Sequence, residues 1–136
     1  MRPVDHVLEF EATAGNVVAV MSNTTGETLE ILFGEVSVTT DATVANRYIR
    51  LALYDASGTF FMDMHAGAAV PASQTGVHIQ YLQGIYRETS FIDTALQSPI
   101  PTKFTLQSGW SMRCSAFNGV AGDEFSGKFY TREVRE

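Results

Sequence analysis

The sequence predicts an all-β protein, an antiparallel β-sandwich built as one domain over residues 1–136. Three observations predict it. Apolar residues recur at every second position in short stretches, the period of a strand with one buried face. Clusters of Gly, Asn, Asp, Ser and Pro separate those stretches at close spacing. Long helical segments do not alternate with them, as a parallel α/β sheet requires. About eight strands result, which fits a jelly roll, another Greek-key sandwich or a closed barrel.

The elements follow in order. Val4–Ala12 places Leu8 and Phe10 on one face and Val7, Glu9 and Glu11 on the other. The glutamates suit an exposed edge strand. Ala14-Gly15-Asn16 is a turn, and Val17–Met21 reads as a short strand buried on both sides. Ser22–Gly26 is a loop. Thr28–Phe33 begins a strand, Gly34 marks a bulge or bend, and Glu35–Thr40 continues with Val36 and Val38 inward. Asp41–Asn46 is a loop, since Asp and Asn bond nearby backbone groups. Arg47–Tyr54 puts Ile49, Leu51 and Leu53 on one face and Tyr48, Arg50, Ala52 and Tyr54 on the other. Asp55–Gly58 is a hairpin turn, and Thr59–Met64 is the returning strand.

His65–Gly76 is a long small-residue loop, a length that marks function or mobility. Val77–Gln83 is a strand with Val77, Ile79 and Tyr81 on one face. In Ile85–Leu96, a narrow helical stripe of Ile85, Thr89, Ile92 and Leu96 is interrupted by Tyr86 and Phe91. It reads as an irregular excursion with one helical turn, stopped by Pro99. Ser98–Pro101 is extended. Lys103–Gln107 turns Phe104 and Leu106 inward, and Trp110–Phe117 sets Trp110, Met112, Cys114 and Ala116 on one face. Asn118–Asp123 reads as a flexible loop and Ser126–Val134 as the closing strand.

Three segments, Val38–Arg47 (VTTDATVANR), Asp55–Gly58 (D-x-S-G) and Ala121–Ser126 (AGDEFS), together bracket most of the chain. As a set they resemble a family of small virion structural proteins of tailed bacteriophages. That resemblance implies a jelly-roll-like β-sandwich and a virion location, with synthesis in the host cytoplasm. It leaves head decoration, neck and tail positions open. The implied function is noncatalytic: a capsid decoration or cement protein acting through protein–protein contacts. The alternative is a neck- or tail-associated module for assembly or host-glycan recognition. The implied partners are further copies of the chain, as a homo-oligomer such as a trimer, and the phage major capsid protein or neck proteins.

Composition bounds the remaining classes. Fifteen Asp and Glu against nine Lys and Arg give a net charge of −6, which disfavours nucleic-acid binding. No apolar run approaches a membrane span, and Met1–His6 has no leader pattern, so the expectation is a soluble protein without a membrane role. Hydrophobic residues reach 45% and charged ones only 18%, which leaves neutral surface for an interface. The lone cysteine, Cys114, reads as a buried thiol. His6, His65 and His78 are scattered, and no phosphate loop or nucleophile elbow occurs. The expectation is therefore no catalytic residue, cofactor or metal. Loop oxygens at Asp41, Asn46, Asp55, Asp123 and Glu124 leave calcium as a lesser alternative.

Contact candidates come from the outward side of Arg47–Tyr54, from the long loop and from the excursion. They are Tyr48, Arg50, Tyr54, His65, Val70, Tyr86, Phe91 and Ile92. Arginine between tyrosines on a strand face is a combination enriched at interfaces. Arg47 is expected instead to bond Asp41 across its loop.

Overall fold

The computed structural model describes residues 4–65, 68–83, 95–101 and 103–134. Ten strands run through them: β1 (Asp5–Ala14), β2 (Ala19–Ser22), β3 (Leu29–Thr39), β4 (Tyr48–Tyr54), β5 (Phe60–His65), β6 (Val77–Gln83), β7 (Ala95–Ile100), β8 (Thr105–Leu106), β9 (Ser111–Phe117) and β10 (Glu124–Glu133). One sheet has the order β1-β10-β3-β6-β7, with β8 also pairing β3; the other is β2-β9-β4-β5. The pairs β1–β10, β2–β9, β3–β6 and β4–β5 are antiparallel. The first four strands therefore lie against β5, β6, β9 and β10 as one long ribbon, wound so that neighbouring segments fall alternately in two sheets. That winding is the jelly roll. The extra strands, β7 and β8, come between β6 and β9 in the chain.

The core follows from the period of two. Ile49, Leu51 and Leu53 of β4 face Val36 and Val38 of β3, Val77, Ile79 and Tyr81 of β6, and Phe125 and Phe129 of β10 in one buried cluster. Fully burying one such side chain contributes about 1.5–3 kcal/mol. Cys114 is buried among them, as expected.

Several expectations change. The sandwich is not wholly antiparallel, because β7 joins the free edge of β6 in parallel. Leu96 accordingly lies buried on a strand and not on a helical stripe. Residues 84–94, which hold most of the expected excursion with Tyr86, Phe91 and Ile92, lie outside the described residues. Val17–Met21 is not buried on both sides: only Ala19 and Met21 point inward, while Val17, Val18 and Val20 are exposed. Val17 and Val18 lie in the turn before β2, and within β2 only one face of the sheet is covered, so Val20 points to the other.

β3 runs unbroken through Gly34, and its register shift falls at Leu32, which stands unpaired between Ile31 and Phe33. Gly34 serves packing instead. The Phe129 ring lies directly over it, in the space a Cβ would occupy.

Candidate functional site

The polar residues nearest to a site-like cluster form a structural lock. Arg47 is fully buried. Its Nε donates to Asp123 Oδ2 at 2.9 Å, and its Nη2 donates to Asp123 Oδ1 at 3.2 Å and Asp41 Oδ1 at 3.1 Å. Its Nη1 donates to the Ala45 carbonyl at 2.7 Å. Asp123 also accepts from the backbone N–H groups of Asp41, at 2.9 Å, and Val120, at 3.1 Å. Burial pushes the Asp123 carboxyl up, but these hydrogen bonds and the Arg47 charge together hold it below the usual aspartate value. Gly122 must be glycine for the loops to close this tightly, because a Cβ there would meet the Asp41 carboxylate.

The lock joins the chain segments that cross between the two sheets at this end. The β3–β4 loop supplies Asp41 and Arg47, and the β9–β10 loop supplies Asp123. The β1–β2 loop bonds in through Gly15 N–H to the Asp123 carbonyl at 2.9 Å. The β5–β6 loop bonds through Val70, whose N–H and carbonyl pair with Arg47, and through Ser73 N–H to the Asp41 carbonyl at 2.7 Å. Two of the three segments that carry the phage resemblance thus meet in space. The expected Arg47–Asp41 bond is present, and Asp123, expected in a flexible loop, is a buried anchor.

The outer face of the four-stranded sheet has a different character. Alternation turns Tyr48, Arg50, Ala52 and Tyr54 of β4 outward. Register then sets Arg113, Ser115 and Phe117 of β9 beside Ala52, Arg50 and Tyr48. On the other flank Asp63 and His65 of β5 lie beside Ala52 and Arg50. Arg50 Nε donates to Asp63 Oδ2 at 2.6 Å, and its guanidinium lies 5.3 Å from the Phe60 ring centre. Arg113 lies 3.9 Å over the Tyr54 ring, and Tyr54 meets Phe60 edge-on at 5.8 Å. The Arg113 Nε is buried without a hydrogen-bond partner among the described residues. Phe60 remains 48% exposed and Phe117 67% exposed. An exposed ion pair contributes about 0–1 kcal/mol, and an exposed cation–π contact about 0.5–1 kcal/mol. These contacts hold arginines and rings in place more than they stabilise the fold.

Of the contact candidates, Tyr48, Arg50, Tyr54 and His65 come together on this face. Val70 does not. It is fully buried, because its loop lays it on the core beside Arg47. Phe60, Arg113 and Phe117 belong to the face and were not among the candidates. The alternation of their own strands carried that signal, but their adjacency to β4 depends on register, which lies between distant segments.

Several chemistry-bearing side chains are occupied or enclosed. Burial pushes the Cys114 thiol up to about 12, so it is a neutral thiol and not a nucleophile. His6 Nε2 bonds Glu133 at 2.6 Å, and His78 bonds Glu35. Asp55 accepts from the N–H groups of Ser57 and Thr59 within its own turn, each at 2.9 Å. Among the described residues no three of His, Cys, Asp and Glu converge as metal ligands. Nor does any helix among them have the length and apolarity to cross a membrane.

No family model and no curated protein matches the chain. Among solved structures it is similar to that of the infectious bursal disease virus Gx strain, with 15% identity over 98% of this chain, 32% of that chain and a TM-score of 0.41. It is also similar to the crystal structure of the T13 viral particle of the same virus, with 14% identity over 98% of this chain, 31% of that chain and a TM-score of 0.43. The chain spans about a third of the length of these matches. The jelly-roll assignment rests on the strand order itself.

Proposed function

We propose that this chain is a noncatalytic structural protein of a tailed-phage virion, a decoration or cement protein on the head. In this reading copies associate through the outer face of the four-stranded sheet. The resulting symmetric homo-oligomer, a trimer in the simplest case, seats on the major capsid protein. The observation that carries the reading is the cluster of exposed Tyr48, Phe60 and Phe117 with half-buried Arg50 and Tyr54. Tyrosine and arginine are enriched among interface hot spots, and covering exposed rings contributes about 25 cal/mol per Å² of apolar area. Closed symmetry is the usual arrangement of identical subunits. The sequence resemblance of the Val38–Arg47, Asp55–Gly58 and Ala121–Ser126 segments supports the virion assignment.

The test uses heads of the source phage that lack this protein. Mass is measured by light scattering for the protein alone and after mixing with the heads. A stable oligomer that coats heads in a fixed ratio to the shell subunit is expected. A protein that ignores heads overturns the reading.

A further inference from the structure

The outer face of the six-stranded sheet is a trough and not a plane. Two irregularities bend its strands. β1 sets Glu11 and Ala12 together opposite Ser126 of β10, and β3 carries the unpaired Leu32. Bulged strands bend and twist more than regular ones. The trough has a volume of about 760 Å³.

Its floor carries a stacked pair, Phe33 of β3 and Tyr130 of β10, with ring centres 4.7 Å apart. These rings are 43% and 39% exposed. Three carboxylates line it: Glu9 and Glu11 from β1, and Glu35 from β3. Compensation is thin. Lys128 Nζ lies 3.9 Å from Glu9, at the limit of an ion pair, and Glu35 bonds His78. The Glu11 carboxylate has no partner among the described residues.

A strand places same-face residues about 6–7 Å apart, so Glu9 and Glu11 match the spacing of alternate side chains on an extended peptide. Arginine or lysine on such a peptide satisfies both features of the trough. The cation forms charge-assisted hydrogen bonds to carboxylates and stacks on the exposed rings. The chain's net charge of −6 steers cationic segments toward it. We infer that this trough binds an extended arginine- or lysine-rich segment of a partner protein. The site lies on the side of the sandwich opposite the arginine–aromatic face and does not depend on the function proposed for that face.

The test is fluorescence anisotropy of the full chain with a short fluorescein-labelled peptide of alternating arginine and threonine. Saturable binding that weakens with rising salt is expected. Glu11→Gln should weaken it about fivefold, and Tyr130→Ser by a similar factor. Glu27→Gln removes the same charge from an exposed loop away from the trough, and should leave affinity unchanged. Each variant changes an exposed side chain, and its melting temperature is checked alongside. Equal weakening by Glu11→Gln and Glu27→Gln overturns the inference in favour of diffuse charge attraction. So does the absence of peptide binding. Binding of the neutral oligosaccharide maltoheptaose in place of the peptide, lost in Tyr130→Ser, overturns it in favour of a glycan site.

Discussion

The two outer faces of this sandwich are made by the same rule and differ in what the rule exposes. On the four-stranded sheet, arginines lie over rings: Arg50 by Phe60 and Arg113 on Tyr54. On the six-stranded sheet the rings lie on each other, Phe33 on Tyr130, and carboxylates surround them. The inner faces are both apolar: the six-stranded sheet supplies Val, Ile, Leu and the rings of Phe10, Tyr81, Phe125 and Phe129, and the four-stranded sheet supplies Ile, Leu, Met, Ala and Cys. Side chains that point inward therefore specify the fold, while those that point outward differentiate two surfaces on one scaffold. What keeps the faces back to back is the core and, at one end, the Arg47–Asp123 lock across the sheet-crossing loops.

Breaking the lock should have the largest effect, because it acts on both faces at once. Arg47→Met leaves the Asp123 charge buried without compensation and should cost about 3–5 kcal/mol in urea unfolding. Contact by either face should then fail at the same denaturant concentration. Loss of less than about 1 kcal/mol would show that the lock is incidental. The lock also sets an acid limit. The Asp123 value in the folded chain is depressed below the unfolded value of about 3.9. Its contribution is complete above that pH and is lost as pH falls through the folded value. An acid-unfolding curve should show this limb, and Asp123→Asn should remove it.

Leu53→Ala acts from inside one sheet and should cost about 2–5 kcal/mol, read as a fall in melting temperature. An unchanged melting temperature together with lost assembly would mean that the two sides of β4 had been exchanged. Gly34→Ala separates the sheets more finely. It forces a methyl group against the Phe129 ring under the six-stranded sheet and should cost about 1–3 kcal/mol, again by melting. Arg50→Glu should have the smallest effect on stability, within about 1 kcal/mol, because its ion pair is only half-buried and lies outside the core.

The strands were legible because each carries its own period. Ile49, Leu51 and Leu53 face inward as alternation requires, and Tyr48, Arg50 and Tyr54 face outward. Information held between distant segments was not legible. Arg47 and Asp123 lie 76 residues apart, and a buried aspartate that follows Gly119 and Gly122 in a turn-rich stretch reads locally as a mobile loop. Val17 and Val18 are apolar without being covered, so composition suggested burial that the turn before β2 does not supply. Ala95–Ile100 offers Pro99 and Ser98 where a central strand would show apolar residues, and its partner is the free edge of β6. The arginine–aromatic face was half legible: β4 named its own outward residues, while Phe60, Arg113 and Phe117 join them only once register is known.

The most direct test of the contact surface is the solution mass of the wild-type protein beside that of Arg50→Glu, both by light scattering across a concentration series. The account predicts a defined oligomer for the wild type and a folded monomer, with a melting temperature lowered by no more than a few degrees, for the variant. A wild-type monomer at every concentration, or the same oligomer in both, would contradict it.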